Sequence, residues 1–277
     1  MKDGLLDLLQ RALNIWGEGL DEVWQLLTTS PQSFKGGAVW GVIVNINAAV
    51  QGIAYGLLVL FFAAGVLHQT ISFQELRRPE MALKMFLRFA IAKGLISHCM
   101  EILLAIMQIS QGILQQVIFA GGGNLSMSLT VPGEIVSAID GIGLFASVSM
   151  MGLVLIGSII ATVLAFILVM TVYGRFLKLY MLTALAPIPL SSFAGDHISQ
   201  VGRSFLKNYA SACIEFAVVA LSCVIVSSLI SSVPVINTGD APLAQVFSYL
   251  AEVLFNMLLL VGTVRMCDRI AQTFIGM

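Results

Sequence analysis

The sequence predicts an all-α fold: a polytopic transmembrane helix bundle with five spans, a proline-broken re-entrant segment and an N-terminal amphipathic helix. Three observations carry that reading. Apolar residues make up 58% of the 277 positions and charged residues 10%, against roughly 25% charged in soluble domains, and the mean hydropathy is +0.95. Residues 141 to 174 contain neither a charge nor a proline, and at about 1.5 Å per residue they more than cover a hydrocarbon core of roughly 30 Å. The Lys and Arg residues gather in alternate segments between the apolar stretches, as the positive-inside rule expects of a polytopic protein.

Taken in order, the chain opens on an amphipathic helix over residues 3 to 28. Asp7, Arg11, Asn14, Glu18 and Asp21 recur on one face, and Leu5, Leu9, Leu13, Trp16, Leu20 and Leu27 lie on the other. Such a helix lies in the membrane interface, packs on a partner helix or packs on the protein's own bundle. Pro31 and the pair Gly36 and Gly37 mark a linker. Residues 1–37 are therefore read as an N-terminal part, outside or interfacial, and residues 38–277 as the transmembrane helical domain. No cleavable signal peptide is expected, because Asp3 and Asp7 stand where a basic segment belongs.

The first span is expected at residues 48 to 67, after the polar Asn45, Asn47 and Gln51, and it contains Gly52 and Gly56 at a spacing that admits a neighbouring helix. A helix should start at Pro79 and run into a second span at residues 94 to 119. That span carries a stripe of polar and small residues, His98, Glu101, Ala105, Gln108, Gly112 and Gln115, at steps of three and four. Residues 134 to 141 (EIVSAIDG) are expected to form a short interfacial helix. The third span is the uncharged stretch already described. It is followed by an apolar segment with Pro187 and Pro189, a candidate gate or re-entrant element tolerated at membrane depth where protein or water satisfies the freed backbone groups. Fourth and fifth spans are expected at residues 208 to 230, carrying Glu215, and 246 to 264, carrying Glu252 and Asn256.

Charge sets the expected topology. Arg77, Arg78, Lys84, Arg88 and Lys93, then Arg175, Lys178, Arg203 and Lys207, then Arg265 and Arg269 all fall on one side if there are five spans. That side is cytoplasmic, which puts the N-terminus outside and the C-terminus in the cytoplasm. Counting residues 179 to 195 as a sixth span would reverse every later loop.

The sequence lacks the residues for catalysis: the three histidines are dispersed, and no metalloprotease, nucleophile-elbow or phosphate-loop motif is present. No enzyme activity, cofactor or metal is expected. Cys99, Cys213, Cys223 and Cys267 are expected as buried thiols, and a net charge of -1 gives no basic surface for nucleic acid. What stands out is acid inside the spans. A charged residue at a span centre costs about 2.5 to 3.5 kcal/mol on insertion scales, so Glu101, Glu215 and Glu252 must pair with helices or face water. His98, Glu101, Gln108, Gln115, Glu215, Glu252 and Asn256 are the candidates for lining a conduit or pairing helices, with Lys93, Lys207 or His98 as possible partners for Glu101 and Glu215.

The order of parts resembles the TrbL-type polytopic inner-membrane subunit of conjugative type IV secretion systems, in the versions found on mobile elements of Gram-positive bacteria. Residues 77 to 96 (RRPEMALKMFLRFAIAKGLI) and 174 to 216 (GRFLKLYMLTALAPIPLSSFAGDHISQVGRSFLKNYASACIEF) carry the likeness. The resemblance implies a non-enzymatic subunit of a channel that moves DNA or protein across the cytoplasmic membrane. It also implies assembly as a homo-oligomer and with other transfer subunits, with the substrate held only transiently. The residues taken alone also fit a proton-coupled small-solute transporter or a membrane scaffold without a conduit.

Overall fold

The computed structural model describes residues 2–70, 79–122, 131–141, 143–195, 198–230 and 241–276. Among these the chain is helical, without a strand. Nine α-helices follow one another among the described residues: α1 (Lys2–Thr28), α2 (Ala38–Thr70), α3 (Pro79–Ser97), α4 (Cys99–Ala120), α5 (Gly133–Gly141), α6 (Leu144–Leu185), α7 (Pro187–Ser191), α8 (Ser199–Ile230) and α9 (Pro242–Phe274). Short 3-10 turns cover Phe34–Gly37 and Ser192–Ala194. Among the described residues five helical segments are long and apolar enough to cross a bilayer: Phe34–Leu67, Cys99–Ala120, Ser147–Leu185, Ser199–Leu229 and Pro242–Phe274. The fold is therefore an all-α polytopic bundle, with α3 starting at Pro79 and the helix break at Pro187 where the sequence puts them. Between α3 and α4 the backbone ladder continues through His98, whose N–H donates to Gly94 (2.9 Å) and whose carbonyl accepts from Ile102 (3.0 Å).

The chain divides into two compact units. One comprises residues 1–28, 115–174 and 218–267. Here α1 turns its apolar face into protein, burying Leu5, Leu9, Leu13, Trp16, Leu20, Val23 and Leu27. Leu5 and Leu9 share a core cluster with Ile135 and Ile139 of α5, Met150 and Val154 of α6, and Val246 and Leu250 of α9. Close approach falls at single glycines. A Cβ on Gly19 would stand 3.3 Å from that of Ala165, and one on Gly121 would stand 2.6 Å from Val224 Cγ2. By contrast, Gly52 and Gly56 of α2, where the sequence suggests a helix contact, have open space around them within this chain.

The other unit comprises residues 29–114, 175–217 and 268–277. Its linker is anchored by aromatic packing: Phe34 stacks on Phe176 at 4.8 Å between centroids, and the Tyr180 hydroxyl donates to the Pro31 carbonyl at 2.7 Å. Lys35, Gly36 and Gly37 all adopt positive φ, which explains the glycine pair and turns the chain into α2. α2 and α3 pack together through Phe62 on Phe86 and Phe89. All four cysteines are buried.

Gly19 gives the first test of this packing. Gly19→Leu forces four extra carbons into the α1–α6 contact and should destabilise the protein by about 1–3 kcal/mol, read as a lower melting temperature in detergent. Gly52→Leu, in open space, should leave it nearly unchanged.

Candidate functional site

α4 buries Cys99, Leu103, Met107, Ser110 and Leu114. These recur at helical spacing, so the opposite face is turned outward. That face is the polar stripe: His98, Glu101, Ala105, Gln108, Gly112 and Gln115 are all exposed, over about 26 Å of helix. His98 Nδ1 and Glu101 Oε2 lie 3.0 Å apart, with both side chains more than half exposed. Ile109 and Ile113, beside the stripe, are exposed as well. The helix therefore offers adjoining polar and apolar lanes.

Glu215 sits differently. Its carboxylate takes Arg175 Nε at 3.0 Å and Lys178 Nζ at 3.4 Å, and Lys178 also reaches Asp268 Oδ1 at 2.6 Å. Gln272 Nε2 donates to the second Asp268 oxygen at 3.1 Å. Two cations and two anions thus join α6, α8 and α9 in an electrically neutral cluster, with the side chains of Arg175 and Glu215 only 5% and 4% exposed. Neutrality is what lets these charges stay buried. Sequence reasoning offered Lys93, Lys207 or His98 as partners for the glutamates. His98 does meet Glu101, but Glu215 takes Arg175 and Lys178, and Lys207 Nζ lies 3.5 Å from the Gly276 carbonyl.

The proline segment is built around a missing donor. In a helix the amide of residue 187 would bond the carbonyl of Thr183, and proline has no N–H. Asn47 of α2 supplies the donor: its Nδ2 lies 2.7 Å from Thr183 O, and the residue is fully buried. Gln51 Nε2 donates to Asn47 Oδ1 at 3.3 Å, which orients the amide. Beyond the break, the Ser191 and Ser192 hydroxyls donate to Ile188 O (2.6 Å) and Pro189 O (2.7 Å). Ser192 Oγ also accepts from the buried Gly202 N–H at 2.9 Å. Pro187 is buried and Pro189 half-buried. Sequence reasoning noted Asn47 only as polar; the available signal was a proline four residues after Thr183, with an amide side chain on an apolar helix.

Glu252 and Asn256 are one turn apart on α9, both half-buried, and belong to the unit that holds α1. Arg203 and Lys207 are exposed on α8. Arg77 and Arg78 lie outside the described residues. Among the described residues no group of three or more His, Cys, Asp and Glu side chains is arranged to hold a metal.

Two outcomes follow for stability in detergent. Asn47→Ala strands the Thr183 carbonyl and should cost about 1–3 kcal/mol, whereas in a Pro187→Ala background, where the backbone donor returns, the same change should cost less than half as much. Glu215→Ala removes the buried anion that Arg175 and Lys178 share and should cost about 3–5 kcal/mol. Asp268→Asn, at a partly exposed pair, should cost about 1 kcal/mol or less.

A family model described as "TrbL/VirB6 plasmid conjugal transfer like protein" matches residues 18–187. No curated protein and no solved structure matches the chain. The match spans more than half of the sequence, so the chain belongs to the TrbL/VirB6 plasmid conjugal transfer-like family.

Proposed function

We propose that, in this TrbL/VirB6 family protein, the polar face of α4 borders the path along which a conjugation apparatus moves DNA or protein across the cytoplasmic membrane. Copies of the chain and other transfer subunits together enclose that path. The observation that carries the reading is the exposure of His98, Glu101, Gln108 and Gln115 on a helix with the length and composition of a membrane span. Against lipid, a single charged residue at mid-span costs about 2.5–3.5 kcal/mol; against water or polar protein the cost disappears. The neutral pairing of Arg175, Lys178, Glu215 and Asp268 supports a structural role for that cluster.

In this reading the α6–α7–α8 connection is a re-entrant element, and Pro187 and Pro189 make its bend. Its freed carbonyl has a protein donor, as a break at membrane depth requires. The N-terminus lies outside and the C-terminus in the cytoplasm, supported by the basic residues Lys84, Arg88, Lys93, Arg203 and Lys207. The protein acts by forming and holding the path, without catalysis of its own.

The test is conjugative transfer of the host element. Replacing Gln108 and Gln115 together with Leu turns the wet face apolar and should lower transfer at least about tenfold with protein level in the membrane unchanged. Replacing Ile109 and Ile113 with Leu should leave transfer intact. Normal transfer by the Gln108→Leu, Gln115→Leu variant would overturn the reading.

A further inference from the structure

α2 and α3 form an antiparallel hairpin within one unit. The Tyr55 hydroxyl and Ser97 Oγ lie 2.9 Å apart, and Phe62 packs on Phe86 and Phe89. The chain that advances along α2 thus returns along α3, and Leu67 comes level with the first turns of α3. The apolar segment Phe34–Leu67 has 34 residues, about 50 Å of helix against a hydrocarbon core of roughly 30 Å. Its ends therefore reach the headgroup layers, by tilt or by protrusion. Lys35 marks one end. Lys84, Arg88 and Lys93 gather toward the other, with no acidic residue between positions 81 and 100.

α3 buries Ala92 and Ile96 completely and packs on α2, on α7 and on the Ser192–Ala194 turn. Its opposite face exposes Leu83, Phe86, Leu87 and Ile91, each by more than half. At 3.6 residues per turn, Lys84 and Arg88 line one edge of this apolar lane and Lys93 the other. Lys84 and Lys93 are exposed and Arg88 is half-buried. Apolar side chains bordered on both sides by cations suit a lipid interface, where the long stems of Lys and Arg carry their charge to the phosphates. We propose that this face of α3 binds anionic phospholipid of the cytoplasmic leaflet, the lane taking acyl chains and Lys84, Arg88 and Lys93 the headgroup. Bare water is disfavoured by four large apolar side chains side by side. The same face of a second copy would set cation against cation. The inference goes beyond the conduit reading and shares with it only the side of the membrane given to these basic residues.

The test uses the full-length chain in phosphatidylcholine nanodiscs, with a fluorophore on one added cysteine, Leu87→Cys or Ile46→Cys. The unsubstituted chain, whose own cysteines are buried, is the labelling blank. A minor share of the lipid, either phosphatidylglycerol or phosphatidylcholine, carries bromine on its acyl chains as the quencher. Brominated phosphatidylglycerol should quench the Leu87→Cys label at least about threefold more than brominated phosphatidylcholine. Ile46→Cys, exposed on α2 away from the three cations, should show no preference. Replacing Lys84, Arg88 and Lys93 together with Gln should remove the preference, and Lys84→Gln alone should lower it. Equal quenching by the two lipids at Leu87→Cys, or the same preference at Ile46→Cys, would mean that α3 does not recognise the headgroup. No quenching at Leu87→Cys with Ile46→Cys quenched would mean that the face lies outside lipid, open to an acidic protein partner. A preference that survives the triple replacement would mean that the cations do not supply it. Each of these results overturns the proposal. The quenching needs no transfer to be read, and transfer by the α4 variant needs no lipid preference, so either reading can fail alone.

Discussion

A single hydrogen bond, from Asn47 Nδ2 to the carbonyl of Thr183, makes the central bend of this protein possible. Pro187 interrupts the longest helix and frees that carbonyl where the chain is buried; an unanswered carbonyl there would cost as much as a lost hydrogen bond. With Asn47 in place, α6 can end, α7 can turn and α8 can return along it. The return brings Glu215 to Arg175 and Lys178, which in turn allows three charges to sit inside an apolar bundle. Removing the amide would reach well beyond one contact.

The charged and polar residues then sort into two kinds. Those of the Arg175 cluster are neutralised by one another and hold helices together. Those on α4 and α1 are turned outward, and even the pairs among them, His98 with Glu101 and Arg11 with Asp7, stay exposed. A membrane protein with such faces is incomplete as a single copy in lipid, which agrees with a family whose members work inside a larger conjugal transfer apparatus. Hydrophobic burial supplies the bundle, and the polar face of α4 is the part to which the proposed function is assigned.

Much of this was legible in the sequence, for a physical reason. Apolar runs, the helix start at Pro79, the break at Pro187 and the stripe on α4 are local patterns, and a local pattern survives folding. The α4 stripe is a period along one helix, so its face could be read without knowing its neighbours. What escaped were the pairings across the chain. Asn47 and Thr183 stand 136 residues apart, and Lys93, Lys207 and His98, the partners expected for Glu101 and Glu215, do not include Arg175. Arg175 reads as the end of a span because it is the first charge after a long apolar run. The helix nevertheless continues to Leu185, because Glu215 cancels the charge. Likewise the Gly52 and Gly56 spacing advertised a contact absent among the described residues, while Gly19, with no motif around it, makes one.

The central claim is that one face of α4 is wet along its length. The direct measurement is labelling of single cysteines along α4 by a water-soluble maleimide in assembled, transfer-competent membranes. The account predicts reaction at positions 101, 108 and 115 and silence at 109 and 113, a pattern repeating every three to four residues. Uniform silence, or labelling without that period, would contradict it.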